Sequence, residues 1–137
     1  MIDKQRILAK IDELDKYLYE IQSIAPKDFE DFKRIEIKRS SERLLQLSIE
    51  CIIDICKIIV SNLKLGLPSE ENDLFDKMER EKIITEEMAL ILKEMKGFRN
   101  ILVHEYTEVD DEIVYSVIKN RLDDFKKFKK QIIDWMG

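Results

Sequence analysis

The sequence predicts an all-α protein, an up-and-down bundle of about five helices, in a single domain over residues 1–137. Three observations carry this reading. Hydrophobic residues make up 45% of the chain and charged residues 39%, which supplies both buried stripes and solvated faces. Only 3 Gly and 2 Pro are present, so turn residues are scarce. Apolar residues recur at three- and four-residue spacings, the period of one helix face.

The first helix is expected from about Asp3 to Ile24, with Ile7, Leu8, Ile11, Leu14, Leu18 and Ile21 on its stripe and Asp3 as its cap. Ala25-Pro26 ends it, because proline disfavours helix in the residue before it. Asp28 opens a very long second helix reaching about Asn62. Phe29, Phe32 and Ile35 form a stripe in its first half, and its second half is apolar almost all round, as a central helix requires. The stretch Leu63 to Asn72, with Gly66 and Pro68, is the clearest break in the chain. A short helix follows near Asp73 to Glu81, with Asn72 as candidate cap. Thr85-Glu86-Glu87 reads as a cap followed by acids in the first turn, opening a fourth helix that lasts to about Val103. Tyr106 to Asp110 is a loop. A fifth helix spans about Asp111 to Trp135, with Ile113, Val117, Leu122, Phe125, Phe128 and Ile132 inward.

The net charge of −5 argues against extensive non-specific phosphate binding. The charges are nevertheless clustered. Lys33, Arg34, Lys38, Arg39 and Arg43 form one basic stretch that could line a local groove. Lys126, Lys127, Lys129 and Lys130 form another, read as solvated helix face. Cys51 and Cys56 lie about 140° apart on one helix, so they do not bridge within it. They read as buried small hydrophobes of a reducing compartment, the cytoplasm. The apolar run Leu44 to Val60 contains Glu50, Asp54 and Lys57, which favours a buried helix over a membrane span.

The chemistry-bearing stretch is Arg99-Asn100-Ile101-Leu102-Val103-His104-Glu105-Tyr106, which holds the only histidine. On the fourth helix, Met88, Ile91, Met95, Phe98 and Leu102 fall within about 80° of arc and form the core stripe. His104 lies roughly 160° from its centre, and Asn100 sits one turn before it on the same side. Ala89, Leu92 and Val103 give that side a half-apolar character, so it is expected to meet another element or a second subunit. An arginine can hold a phosphate through paired hydrogen bonds, and a histidine moves protons near neutral pH. Together they suit metal-independent RNA cleavage, with the RNA 2′-hydroxyl as nucleophile. A surface Arg and His complementing a helix C-terminus is the plainer alternative.

This stretch resembles the Arg-x4-His-x-Tyr signature of HepT proteins, members of the HEPN superfamily (higher eukaryotes and prokaryotes nucleotide-binding). The resemblance covers the chain: its length, its HEPN-like helical frame, and the signature at the end of the fourth helix. It includes the apolar second helix with embedded acids, Glu42 to Asp54. It implies the toxin of a type II toxin–antitoxin pair, a homodimer with RNA as substrate. Its antitoxin would be a minimal nucleotidyltransferase that transfers AMP to Tyr106. The resemblance assigns Arg99 and His104 to catalysis and implies no cofactor.

Asn100 is expected to position the substrate or the histidine. Glu42, Gln46, Glu50, Asp54 and Lys57 form one polar line, and Glu50 or Asp54 is expected to orient Arg99, unless the line simply faces water. No metal-ligand set and no glycine-rich phosphate loop are recognisable. Trp135 reads as a packing anchor. Two other functions fit the same residues: a non-catalytic helical dimer that docks to a nucleotidyltransferase, and an accessory protein that holds a nucleotide without cleaving anything.

Overall fold

The computed structural model describes residues 2–104 and 108–137, and all secondary structure among them is helical. Seven helices are found there: α1 (Lys4–Ile24), α2 (Phe29–Phe32), α3 (Ile35–Asn62), α4 (Glu71–Arg80), α5 (Glu86–Val103), α6 (Asp111–Asn120) and α7 (Leu122–Met136). The expectation of about five is corrected at two places, where one anticipated helix is two.

The first is Lys33-Arg34. Asp28 caps α2 by accepting from the Asp31 N–H, but the chain leaves the helix after a single turn, and Arg34 is extended at ψ 132°. Phe29 and Phe32 face Tyr115 of α6, with ring centroids 5.6 and 5.5 Å away. The break lets this turn serve α6 while α3 runs along α1. Arg34 spans it by ion pairs to Asp31 at 3.3 Å and Glu36 at 2.6 Å. Ile35, expected on the stripe, is exposed as a result. The second break is at Arg121. Its N–H still donates to Val117 O at 2.8 Å, while Asp123 and Asp124 start α7. Val114, not Ile113, is the buried residue of α6.

The other boundaries follow local chemistry. Asp3 accepts from the Arg6 N–H at 3.1 Å and caps α1. Ala25 ends α1 in the left-handed region, at φ 40°. Thr85 accepts from the Met88 N–H at 3.1 Å and caps α5. The short helix starts earlier than expected: Glu70 is its boundary residue and Asn72 lies inside it. Asp73, rather than Asn72, turns back to accept from the Ser69 N–H at 3.1 Å.

α3 is the axis of the fold, touching α1, α2, α4, α5 and α6. The Asp3 N–H donates to Asn62 Oδ1 at 2.8 Å, which pins the start of α1 to the end of α3 and sets the two antiparallel. From Ile49 to Val60 almost every apolar side chain of α3 is buried. The core draws on every helix, and Trp135 packs against it. Ala89 and Leu92, expected to meet another element or a second subunit, are each 1% exposed and belong to this core. They are buried by the chain itself, since α5 packs on both α3 and α4. Val103, at 43% exposed, remains available on that side. Among the described residues no helix is long and apolar enough to cross a membrane.

Cys51 and Cys56 are free and buried. Burial pushes the Cys51 thiol up to about 11 and the Cys56 thiol higher still.

Two tests follow. Ile52 is fully packed in α3, so Ile52→Ala is expected to cost about 2–5 kcal/mol by denaturant titration, through lost burial and a cavity. Leu67 is 96% exposed, so Leu67→Ala is expected to stay within about 0.5 kcal/mol. The thiols give a pH test. Their native pKa values lie above the unfolded ones, so their stabilising contribution is complete below the unfolded pKa and is lost as pH rises toward the native one. The thermal midpoint is expected to fall between about pH 8.5 and 11, less steeply in Cys51→Ala/Cys56→Ala.

Candidate active site

The described part of the signature, Arg99 to His104, covers the last turn of α5 and the residue after it. Thr85 and the acids Glu86 and Glu87 start that helix, and it ends at Val103. His104 is the first residue beyond it, with an N–H donating to Ile101 O at 3.3 Å and ψ turned to 117°. It is exposed, as its angle from the core stripe requires.

His104 lines a cleft of about 610 Å³ with the first half of α3. Lys38, Arg39, Glu42, Arg43 and Gln46 form the α3 wall, and Glu108 and Asp111 close the other side. The basic stretch thus divides. Lys38, Arg39 and Arg43 reach the cleft, whereas Lys33 and Arg34 pair locally with Glu30, Asp31 and Glu36. Two cleft cations are matched by acids: Lys38 lies 3.4 Å from Asp111, and Arg39 lies 2.6 Å from Glu42.

Arg99 points elsewhere on the same helix end. Its side chain is 13% exposed and is gripped from three helices. Nε donates to Asn100 Oδ1 at 3.0 Å. Nη1 lies 3.7 Å from Glu50 Oε2 on α3, an ion pair too long for a direct hydrogen bond. Nη2 donates to Glu71 Oε1 on α4. Gln46 Nε2 donates to Glu50 Oε2 at 3.3 Å, so the polar line of α3 runs from the His104 cleft to the Arg99 cluster.

The structure therefore brings Glu50 and Asn100 to Arg99. Asp54 is not part of the cluster: one turn further along α3, it pairs with Lys10 of α1 at 3.3 Å. The polar line bends around the helix with each turn, and by Asp54 it faces α1. Tyr106 lies outside the described residues. Glu71 is the participant that sequence reasoning missed. Glu71 falls in the stretch that the sequence reads as a break before the short helix, and its contact crosses 28 positions. No local pattern reports such a contact. Among the described residues, no group of three or more His, Cys, Asp or Glu converges to hold a metal ion.

The model of the family described as Ribonuclease HepT-like matches residues 9–132. The chain is 34% identical over 123 residues to the mRNA nuclease HepT of Shewanella oneidensis, covering 89% of this chain and 92% of that protein. It is 29% identical over 131 residues to the tRNA nuclease HepT of Aphanizomenon flos-aquae, covering 95% and 89%. Among solved structures, it resembles the tri-AMPylated Shewanella oneidensis HEPN toxin in complex with MNT antitoxin. That match has a TM-score of 0.87 at 32% identity, over 98% of this chain and 99% of that one.

The geometry predicts which acids couple to Arg99. In double-mutant cycles on stability, Arg99→Ala with Glu71→Ala is expected to show a coupling of roughly 0.5–3 kcal/mol, because the pair shares one part-buried contact. Arg99→Ala with Asp54→Ala is expected to be additive within about 0.5 kcal/mol. Coupling of Asp54 but not Glu71 would refute the arrangement.

Proposed function

We propose a function from one premise: the chain belongs to the Ribonuclease HepT-like family. It is a ribonuclease, the toxin of a toxin–antitoxin pair whose antitoxin is a nucleotidyltransferase. The observation that carries the reading is that one helix end presents both a carboxylate-oriented Arg99 and a cleft-lining His104. Relatives with this fold are named nucleases, and one solved relative is an AMPylated toxin with its antitoxin.

In this reading the RNA 2′-hydroxyl attacks the adjacent phosphorus and the bond to the 5′-oxygen breaks. His104 takes the proton from the 2′-hydroxyl. Arg99 neutralises the charge that builds on the phosphate oxygens. Asn100 and Glu50 orient Arg99; Asp54 is left out of this role, because it pairs with Lys10. This chemistry calls for no cofactor, since the nucleophile belongs to the substrate. A homodimer supplies a second His104 to protonate the leaving oxygen, and exposed Ile101 and Val103 within the signature suit such an interface. Tyr106 is the off-switch: its hydroxyl accepts AMP from ATP, pyrophosphate leaves, and the new charge competes for the cation that RNA would use. Free, buried cysteines fit a cytoplasmic setting.

Arg99→Ala and His104→Ala are each expected to lower RNA cleavage by about 10²–10⁴-fold and relieve toxicity, with the thermal midpoint nearly unchanged for His104→Ala. Folded variants that stay toxic would move the active site elsewhere. Intact mass after incubation with the cognate nucleotidyltransferase and ATP is expected to rise in steps of one AMP in the wild type but not in Tyr106→Phe. A gain that persists in Tyr106→Phe would place the acceptor on another residue.

A further inference from the structure

The Arg99 guanidinium is engaged at all three of its nitrogens, by Asn100, Glu50 and Glu71. One cation faces two carboxylates, so the cluster as it stands carries an excess negative charge. A phosphate approaching it meets repulsion, and part of the donor fork it would take bidentately is already committed. One partner must give way before Arg99 can serve a phosphate. Glu50 sits mid-way along the packed length of α3 and is further held by Gln46. Glu71 is the first residue of the ten-residue α4, directly after the 63–70 connection. There the unpaired N–H groups of the helix start stabilise a carboxylate that has lost its cation. Glu71 is thus the partner with somewhere else to place its charge.

We propose that Glu71 is a positioning residue that competes with RNA phosphate for Arg99: it holds the guanidinium against α4 until a phosphate displaces it. The proposal rests on the reading of Arg99 as the phosphate ligand. It deepens that reading by making affinity for RNA the outcome of an exchange between two anions. Glu71 touches neither RNA nor the reacting atoms. It acts only through Arg99, and this separates it from a general repulsive charge.

The test is fluorescence anisotropy of a labelled single-stranded RNA against the full chain, with His104→Ala throughout to prevent cleavage. Adding Glu71→Gln is expected to tighten binding by about three- to tenfold, the range that one modest ion pair represents. Adding Arg99→Ala is expected to weaken binding and to make the salt dependence shallower by up to about 0.7 in logarithmic slope, the share of one phosphate on a single strand. In the Arg99→Ala background, Glu71→Gln is expected to have no effect. Glu71→Asp, which keeps the charge, should bind as the parent does. If Glu71→Gln does not fold, Glu71→Ser removes the same charge with a residue well suited to a helix start.

A gain that survives in the Arg99→Ala background overturns the competition and leaves plain charge repulsion. Unchanged or weaker binding by Glu71→Gln, with Arg99→Ala still weakening, overturns the proposal while the reading of Arg99 stands. No effect of Arg99→Ala removes that reading, and the proposal with it.

Discussion

The structure depends on the burial of α3. A helix that is apolar almost all round from Ile49 to Val60 is unstable in water unless other helices surround it. Five of the other six described helices touch it. Their arrangement is constrained by that one demand. α1 lies antiparallel along one side, anchored end to end by Asp3 and Asn62. α4 and α5 cover another side. What α3 does not bury is its polar line, and the candidate site forms along that line. The same helix supplies the centre of the core and, through Gln46 and Glu50, the polar floor between the His104 cleft and Arg99.

An acidic protein that handles a polyanion has to solve a charge problem locally. Here three of the cations around the signature are tethered to carboxylates: Lys38 to Asp111, Arg39 to Glu42, and Arg99 to Glu50 and Glu71. Such pairing cancels the positive charge of these side chains and avoids a strong long-range attraction for any nucleic acid. Under the proposed competition at Arg99, contact with RNA relies on exchanging partners at short range. This reconciles a net charge of −5 with a nuclease reading, which a count of charges alone does not.

Most of the fold is legible in the sequence because it is written in local chemistry. The period of Ile7 to Ile21, the caps at Asp3 and Thr85, and the stop at Ala25-Pro26 all act within a turn or two of helix. The two extra helix breaks are not of this kind. Lys33-Arg34 and Arg121 contain no Gly or Pro. Their bends answer to Tyr115 packing against Phe29 and Phe32, and to Arg121 bridging Asp124 and Glu94. Ala89 and Leu92 misled for a related reason: a second apolar face tells that something covers it, not whether the cover is α4 or another subunit. In the site, the signature stands out because one histidine and its spacing are visible. That Glu50 rather than Asp54 meets Arg99 depends on how α3 rotates past α5, and Glu71 enters only through tertiary packing.

The two native thiols, sealed in the core with suppressed acidity, have a practical consequence for spectroscopy. A folded chain whose own cysteines stay protonated and inaccessible presents a silent background to maleimide or nitroxide chemistry near neutral pH. A single cysteine placed on an exposed position, such as Leu67 or Tyr19, becomes the one labelled point without stripping Cys51 and Cys56 from the packed α3. Pairs of such points on α1, α4 or α7 turn the bundle into a ruler for inter-helix distances.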